Sequence, residues 1–339
     1  MVKVGIVGAI GYAGREFIRL LVGHPQAQLV CAIEMETGKK LQDLLPNFRK
    51  LIDIELEIFD PDMIAKKCDV VFFALPAGKS MPLASELVKK GVVVMDLGSD
   101  FRIKDAEAYT KFYKIQYSNP ELVQQSIYGL VPWYREQIRN ADIVAVPGCF
   151  PISAILPLRP LVQHAEPDIP IVIDSVSGVS GAGRSLNELF HFPNMNENVR
   201  AYRIGNHQHV PEIEQEIGGK YMVQFTPHVA PLTRGILSTI TLRPTKKINP
   251  ETIYKCYECY DNEPFVRVLP EGQFPEINFV RNSNFCDIGW TYDNRTGNIV
   301  IVSAIDNLVG GTAGMGIQCL NVRFGFPEDA GLRFPGMMP

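Results

Sequence analysis

The stretch Val146-Pro147-Gly148-Cys149-Phe150-Pro151 contains a cysteine whose setting suits nucleophilic chemistry. A strand-like run at 142–145 precedes it, and a mostly apolar, helix-compatible run at 152–156 follows it. We therefore place Cys149 at or just before the first turn of a helix, where free N–H groups and the helix dipole favour an anion and should lower the pKa of the thiol. A thiolate there could attack an electrophilic carbonyl. The alternative is a small buried side chain, and the local sequence alone favours that alternative.

Two histidines, His207 and His209, flank Gln208 and are followed by a carboxylate at Glu212. Imidazoles beside a carboxylate could carry out acid–base chemistry or bind a metal. No third ligand stands at a clear spacing in the sequence, so we predict no metal site. The alternative for the pair is a surface or interface position without a chemical role.

Three arginines are candidates for anion binding. Arg102 ends a turn that follows a strand, Arg184 ends the glycine- and serine-rich loop 177–184, and Arg234 precedes a strand-like run. A guanidinium forms paired hydrogen bonds with phosphate or carboxylate, and a glycine-rich loop can present its backbone N–H groups to an anion. The alternatives are a surface ion pair for Arg102 and a flexible turn for the loop.

The elements that must position these residues begin with a glycine-rich loop, Gly8-Ala9-Ile10-Gly11-Tyr12-Ala13-Gly14. It lies between a buried strand predicted at 2–7 and an amphipathic helix predicted at 15–22. In that context glycines let the backbone approach a pyrophosphate, and the helix N-terminus faces its charge. Because the spacing is GxxGxxG rather than GxGxxG, a tight turn with close helix–strand packing is the alternative.

Strands and helices then alternate through the first half of the chain. Strands are expected at 28–33, 54–59, 69–75 and 91–95, and a helix is expected at 80–90. This alternation predicts an α/β fold with a doubly wound, mostly parallel sheet. The turns at 75–80 and 96–102 lie at the C-terminal ends of strands, which is where such sheets bind ligands. Later strands are expected at 171–176, 237–242 and 299–304, and a helix at 312–321 could return to pack on the first domain.

The residues after the second strand bear on the choice of dinucleotide. Glu34 stands where an acidic side chain would contact the ribose hydroxyls of NAD. Lys39 and Lys40 follow closely and could instead reach the extra phosphate of NADP. On these residues alone, NAD and NADP are almost equally favoured as the cofactor.

Composition excludes several classes of protein. The 339 residues are 46% hydrophobic and 21% charged with a net charge of -4, so the chain is long enough for two domains and shows no nucleic-acid-binding character. Seven scattered cysteines argue for a reducing compartment, which we take to be the cytoplasm. Neither a signal peptide nor a membrane-spanning run is expected.

Eight motifs together carry a family resemblance: GIVGAIGYAG, DLGSDFR, VPGCFP, SGVSGAGR, NHQHVPEIEQ, FTPHVAPLTRGI, EPFVRVLPEG and AIDNLVGGTAG. Their order, nearly end to end, resembles the N-acetyl-gamma-glutamyl-phosphate reductases of arginine biosynthesis, within the aspartate-semialdehyde dehydrogenase-like group. The resemblance implies a Rossmann dinucleotide-binding domain, which we place at 1–147 and 311–339, and an α+β substrate and dimerisation domain, which we place at 148–310. It also implies a homodimer or homotetramer.

The resemblance further implies reduction of a small acyl phosphate by NADPH, with NAD(H) kept as an alternative because of Glu34. Cys149 would attack the acyl phosphate and expel phosphate, and hydride transfer to the thioester would release N-acetylglutamate 5-semialdehyde. His207 would be the acid–base residue, with Glu212 orienting its imidazole. The side chains expected to bind phosphate or carboxylate are Arg102, Arg184 and Arg234. The residues expected to bind the cofactor are Gly8, Gly11, Tyr12, Gly14, Glu34, Pro76, Ser80, Ser99, Gly181 and Asn307, the last near the nicotinamide.

The chain departs from the family pattern at three places. Gln208 stands where the family usually has arginine, Glu34-Met35-Glu36 replaces a serine- and arginine-containing turn, and Pro157 and Pro160 are expected to interrupt the helix after the cysteine. Two alternatives to the leading function therefore stay open. One is the related reductase of lysine biosynthesis, which acts on a carrier-bound aminoadipyl phosphate, and the other is a non-catalytic dinucleotide sensor.

Overall fold

The computed structural model describes residues 1–35, 38–167 and 169–338, which form two compact units. Unit 1 comprises Met1–Gly148 and Thr312–Arg333, and unit 2 comprises Cys149–Gly311 together with the described residues from 334 onward. The predicted boundaries lie one residue from these divisions. The tail 334–338 differs, because we expected it in the first domain. It clusters with unit 2, where the backbone N–H of Met337 donates to the carbonyl of Arg281 over 2.8 Å.

Unit 1 contains a seven-stranded sheet in which every pairing is parallel, in the order β3-β2-β1-β4-β5-β7-β6. Its strands are β1 Val2–Val7, β2 Ala27–Ile33, β3 Leu56–Glu57, β4 Val70–Phe73, β5 Val93–Asp96, β6 Ile127–Tyr128 and β7 Ile143–Ala145. Its helices are α1 Tyr12–Val22, α2 Leu41–Leu44, α3 Pro61–Lys67, α4 Ser80–Val88, α5 Ala106–Tyr113, α6 Pro120–Gln125, α7 Val131–Ile138 and, from the end of the chain, α13 Gly314–Phe324.

The strand expected at 54–59 is reduced to the two residues of β3. It pairs with β2 only through Ala32 and Ile33, at the edge of the sheet, and the preceding Glu55 forms an isolated antiparallel bridge with Lys40 instead. The central strands match their predictions closely, because β1 and β4 are apolar runs buried on both faces.

Helix α13 is fastened within unit 1 by a buried polar network as well as by its contacts with α1 and α7. The backbone N–H of Gln26 donates to Nδ1 of His24, so the ring Nε2–H donates to Oδ1 of Asn321 over 2.8 Å. The amide of Asn321 donates to the carbonyls of Glu328 and Ala330. The predicted return of this helix to the first domain is confirmed, and the hydrogen bonds of Asn321 hold it there.

Unit 2 contains a mixed seven-stranded sheet in the order β12-β13-β14-β11-β8-β10-β9. Its strands are β8 Ile171–Gly178, β9 Arg200–Ala201, β10 Val223–Ala230, β11 Ile236–Leu242, β12 Val266–Val268, β13 Cys286–Asp293 and β14 Asn298–Ile305. Its helices are α8 Cys149–Ala165, α9 Phe192–Met195, α10 Val210–Glu216, α11 Pro250–Tyr257 and α12 Ile277–Val280. The two units confirm the predicted α/β fold, with a doubly wound parallel sheet and a second α+β domain.

The sheet of unit 2 is covered on one face only. Along β8, β11 and β14 fully buried residues alternate with residues that are half-buried or exposed. The buried face packs against helices including α8. The other face presents side chains such as Val172, Val176, Leu237, Val300 and Val302. Across β8, β11 and β14 this face is therefore only partly covered in the single chain, and it carries Asp174 and threonines beside its apolar side chains.

Helix α8 runs through Pro157 and Pro160, so the expected interruption is wrong. A proline inside a helix leaves the carbonyl four residues earlier without its N–H donor. Here side chains replace both donors: the hydroxyl of Ser303 donates to the carbonyl of Ser153, and the hydroxyl of Tyr260 donates to that of Leu156. The helix continues because its two freed carbonyls have hydroxyl partners.

None of the helices within the described residues has the length and apolar character needed to cross a membrane.

Candidate active site

Cys149 is the first residue of α8 and is partly exposed, whereas residues 150–158 are buried. The prediction that the cysteine stands at the first turn of a helix is confirmed. The helix is 17 residues long, so its N-terminal N–H groups and its dipole act on the thiol position.

The first turn of α8 is anchored to the sheet by a chain of buried hydroxyls. Ser153 donates to the carbonyl of Phe150 over 2.8 Å, so its oxygen accepts from Ser238 at 2.8 Å, and Ser238 in turn accepts from Ser175 at 2.7 Å. All three serines are fully buried. The chain connects β8 and β11 to the turn that carries Cys149, which holds that turn in register.

A glycine packs directly against the cysteine. A Cβ atom on Gly311 would lie 2.9 Å from the Cβ of Cys149 and 3.2 Å from the carbonyl oxygen of Asp306. Real Cβ atoms essentially never come within 3.0 Å of another such atom, so the contact with Cys149 leaves no room for a side chain at 311 unless something shifts. Sequence reasoning assigned Gly311 no role, although it lies in one of the quoted motifs and in a π-helical turn, Val309–Ala313.

His207 lies among aromatic rings close to the start of α8. Its ring centroid is 5.5 Å from that of Phe150 and 5.2 Å from that of Phe225, and the side chain is 3% exposed. Burial, and then the positive charge of Arg203, lower the pKa of His207 to about 4. The backbone N–H of His209 donates to Nδ1 over 3.2 Å, so the ring is neutral near pH 7 and carries its proton on Nε2.

Tyr202 is a site residue that sequence reasoning missed. Its ring centroid lies 5.7 Å from that of His207. Burial raises the pKa of its hydroxyl, and the charge of Cys149 raises it further. The pairing of β9 with β10 places the tyrosine, and no sequence motif marks it. Its position five residues before His207 is the one feature of the sequence that could have indicated a place near that histidine.

Asn307 braces two loops of the same unit. Its Oδ1 accepts from the backbone N–H of Gly235 over 2.8 Å, and its Nδ2 donates to the hydroxyl of Ser180 over 2.9 Å. Gly181 is the exposed neighbour of Ser180, and Arg234, next to Gly235, lies 3.8 Å from a carboxylate oxygen of Asp306. Unit 2 therefore brings these loops onto the Asp306–Gly311 segment that contacts Cys149.

Two predicted residues of unit 2 are less directly connected to this group. Arg184 is exposed, beyond the short helical turn Val179–Ala182. Glu212 is fully buried in the first turn of α10. The orienting role of Glu212 stays a prediction, since the hydrogen bond to Nδ1 of His207 comes from the backbone N–H of His209.

In unit 1 the glycine loop has the geometry of an anion cradle. Gly8 has a φ of +89°, and a Cβ there would lie 2.5 Å from the carbonyl oxygen of Ala74. A Cβ on Gly14 would lie 2.2 Å from the carbonyl oxygen of Gly8. Gly11 is the N-cap of α1 and has no side chain to cap it, so the helix N-terminus is open to a phosphate. These features fit a dinucleotide, with Tyr12 exposed at the first helical position.

Glu34 follows β2 and turns back onto this loop, where its Oε1 accepts from the backbone N–H of Ile10 over 2.7 Å. Glu36, the other acidic residue of that turn, lies outside the described residues. Lys40 forms an ion pair with Asp53, with 2.8 Å between Nζ and Oδ1.

The turns after β4 and β5 are joined by the carboxylate of Asp100. It accepts from the backbone N–H groups of Gly78, Ser80 and Met81 at 2.6, 2.9 and 3.1 Å, and so caps the start of α4 from outside the helix. Burial, and then the charge of Asp100, raise the pKa of Asp96 to about 6. Among the residues predicted to bind cofactor here, Pro76 is exposed, Ser99 is 8% exposed and Ser80 is fully buried.

Arg102 is buried and donates to two backbone carbonyls. Nε reaches the carbonyl of Val146 and a terminal nitrogen reaches that of Leu97, each over 2.8 Å. The surface ion pair considered for it does not describe this buried position. The guanidinium holds Val146, three residues before Cys149 in the chain, and its contact with substrate stays a prediction.

Within the ranges 1–35, 38–167 and 169–338 no group of three or more histidine, cysteine, aspartate or glutamate side chains is arranged to hold a metal ion.

Comparison with known proteins identifies the family. The profile described as "Semialdehyde dehydrogenase, NAD binding domain" matches residues 3–141, and "Semialdehyde dehydrogenase, dimerisation domain" matches residues 149–307. An N-acetyl-gamma-glutamyl-phosphate reductase from Pelotomaculum thermopropionicum is 46% identical, covering 100% of this chain and 99% of the relative. The chain belongs to the N-acetyl-gamma-glutamyl-phosphate reductase family. A member from Geotalea daltonii is 45% identical, with 100% of both chains covered.

Solved structures share the fold of this reductase family at low sequence identity. Aspartate semialdehyde dehydrogenase II of Vibrio cholerae has a TM-score of 0.72 at 17% identity, covering 96% of this chain and 98% of the other. The Candida albicans aspartate semialdehyde dehydrogenase, solved with NADP, has a TM-score of 0.71 at 19% identity, covering 95% and 98%. The predicted resemblance and fold class are thereby confirmed, and unit 1 is a member of an NAD-binding domain family.

Proposed function

We propose that this protein reduces N-acetyl-gamma-glutamyl phosphate to N-acetylglutamate 5-semialdehyde and phosphate, the reductase step of arginine biosynthesis that the resemblance implies. The observation that carries the proposal is Cys149, partly exposed at the first turn of α8, in a chain that aligns over its full length with reductases of that name. We assign dinucleotide binding to unit 1 and the thiol chemistry to unit 2.

The first chemical step belongs to Cys149. Its thiolate sulfur bonds to the acyl carbon, the carbon–oxygen bond to phosphate breaks, and phosphate leaves with that electron pair. The product is a thioester on the cysteine. The buried serines behind α8 and the close contact with Gly311 hold the sulfur in one place during attack.

The second step completes the reduction at the same carbon. A nicotinamide dinucleotide, when bound, supplies a hydride to the thioester carbonyl, and the resemblance implies NADPH. The loop Gly8–Gly14 would hold its pyrophosphate against the N-terminus of α1, with Glu34 beside the loop. The carbon–sulfur bond then breaks as the carbonyl re-forms, which releases the aldehyde and returns the cysteine as the thiolate that starts the next cycle.

His207 acts in this scheme as a neutral hydrogen-bond donor. With a pKa of about 4 it is a weak base toward a thiol, whereas its Nε2–H can stabilise the oxyanion that forms at the carbonyl in both steps. Neutral imidazole also avoids adding a positive charge to a buried aromatic pocket. This donor role narrows the acid–base role that the resemblance implies.

The anionic groups of the substrate require cationic partners, and Arg234 is the best placed of the predicted arginines in unit 2. It is half-buried, lies 3.8 Å from Asp306, and adjoins Gly235, which Asn307 holds in place. We propose that Arg234 binds phosphate or carboxylate, with Arg184 contributing from the exposed loop. Asp306 keeps the guanidinium oriented in the absence of substrate.

We propose that the open face of the unit 2 sheet joins two copies of the chain. Unit 2 matches a dimerisation domain, and this face leaves a row of valines and threonines only partly covered in the single chain, next to the exposed Asp174. A Val302→Lys substitution in the middle of the face should yield monomers in sedimentation experiments, and Ile58→Lys on the surface of unit 1 is the control. An unchanged assembly in Val302→Lys would refute this interface.

No disulfide joins any two cysteines among the described residues, which agrees with a reducing compartment, and we place the protein in the cytoplasm.

The function is tested by running the reaction in reverse. The protein is mixed with N-acetylglutamate 5-semialdehyde, inorganic phosphate and either NAD or NADP, and reduction of the nicotinamide is followed. We expect phosphate-dependent reduction that is lost in Cys149→Ala and kept in Cys259→Ala, which alters an exposed cysteine of the same unit. No reduction with either cofactor would reject this substrate and favour the carrier-bound aminoadipyl phosphate or the sensor.

A further inference from the structure

We propose that Glu34 makes this enzyme selective for NAD(H) over NADP(H). The inference rests on the proposed function, since it concerns the dinucleotide that unit 1 binds. Glu34 is the first residue after β2, and both its side chain and its backbone N–H form hydrogen bonds. Its carboxylate accepts from the backbone N–H of Ile10 over 2.7 Å, and its own backbone N–H donates to the carbonyl of Glu57 on β3 over 3.0 Å.

The position of that carboxylate determines which ribose substituent it can accept. In doubly wound folds the residue at the end of the second strand faces the 2′ position of the adenosine ribose. A carboxylate accepts hydrogen bonds from a 2′-hydroxyl, whereas the 2′-phosphate of NADP brings up to two negative charges to the same place. Because the bond to Ile10 holds Glu34 against the loop, the side chain cannot turn away without losing that bond.

The surroundings of Glu34 add further negative charge. A groove of about 840 Å³ beside β3 is lined by Asp53, Glu55, Glu57 and Asp60, and among the described residues Lys67 is its one cationic lining residue. Lys67 is itself paired with Glu57, with 2.6 Å between Nζ and Oε2. The edge of the sheet beside Glu34 therefore carries an excess of negative charge.

Lys40 is already engaged by an acidic side chain. Lys40, which could reach a 2′-phosphate by its place in the sequence, forms an ion pair with Asp53 at 2.8 Å. Asp53 therefore competes with any phosphate for that ammonium group. To recruit Lys40, a 2′-phosphate would have to displace this ion pair as well as overcome the charge of Glu34.

A purely structural role for Glu34 makes a different prediction, because a neutral amide can keep the bond to the loop. In Glu34→Gln the side-chain oxygen still accepts from Ile10 while the negative charge is removed. If Glu34 only stabilises the loop, the substitution changes the affinities for NADH and NADPH equally. If its charge selects the cofactor, NADPH affinity rises relative to NADH affinity.

The experiment measures dissociation constants of NADH and NADPH for the full chain by calorimetry or nicotinamide fluorescence. We expect NADH to bind at least about tenfold more tightly to the wild type, and Glu34→Gln to reduce that preference by about tenfold or more. Glu251→Gln, which removes an exposed carboxylate from α11, should leave the preference unchanged. Equal or tighter NADPH binding by the wild type, or an unchanged preference in Glu34→Gln, would overturn the inference.

The reverse reaction separates this inference from the proposed function. Phosphate-dependent turnover that is faster with NADP than with NAD at low cofactor concentration overturns the role of Glu34 and leaves the reductase assignment intact. Turnover that is faster with NAD, and shifts toward NADP in Glu34→Gln, supports both. Failure with both cofactors rejects the reductase assignment, and the selectivity proposal with it.

Discussion

Replacing Gly311 with alanine should lower the reactivity of Cys149 strongly while reducing the stability of the fold only modestly. The added Cβ would lie 2.9 Å from the Cβ of Cys149, whereas ordinary contacts are 3.4–4 Å. The cysteine or its neighbour must therefore move by about 0.5 to 1 Å in a closely packed region. A displacement near 1 Å from productive geometry costs on the order of 100-fold in rate, so we expect turnover to fall by about 10- to 100-fold. Overpacking of this kind costs about 1–3 kcal/mol of stability.

Two measurements test this expectation together. The phosphate-dependent reverse reaction gives turnover, and mass-resolved iodoacetamide labelling gives the alkylation rate of Cys149, which should change with the sulfur's position. Gly23→Ala is the matched control, because the nearest atom to its added Cβ is 4.0 Å away. If Gly311→Ala stays folded with wild-type turnover and labelling, the contact does not position the nucleophile and the reasoning fails.

Three further outcomes follow from the buried groups. His207 is held neutral in the folded protein, so stability should fall from pH 6.5 to pH 4 as the unfolded chain takes up a proton. In urea unfolding the wild type should lose about 3 kcal/mol more than His207→Gln over that range, and equal losses would contradict the buried neutral ring. Ser238→Ala breaks the hydroxyl chain and should cost about 1–3 kcal/mol while slowing alkylation of Cys149, unlike Thr239→Ala on the open face. Asp100→Asn should lower stability by about 1–2 kcal/mol in thermal unfolding, and an unchanged melting temperature would exclude its capping role.

The parts of the fold that the sequence predicts well are those with local causes. The strand, glycine loop and helix at the N-terminus follow from a short apolar run and three glycines. The start of α8 at Cys149 follows from a strand, a turn and an apolar run that are adjacent in the chain. Local patterns of this kind need no knowledge of distant residues.

The errors have distant causes. Pro157 and Pro160 predict a break in α8, but the donors that prevent it, Ser303 and Tyr260, lie 150 and 104 residues from the carbonyls they bind. Tyr202 joins the site through strand pairing, and no motif marks it. Such partners are identified only when the sheet that brings them together is known.

The path of the chain through the two units has a consequence for its synthesis. Unit 1 begins with the first residue, but α13, which packs on α1 and α7, comes from the far end of the chain. On the ribosome the apolar surfaces of α1 and α7 therefore remain uncovered while the whole of Cys149–Gly311 is translated. The domain that starts first is therefore completed only after nearly all of the second has been made. A polypeptide truncated before Thr312 would lack α13 and would leave the apolar surfaces of α1 and α7 exposed to solvent. We expect such a chain to be bound by chaperones or degraded by proteases rather than to be partly active.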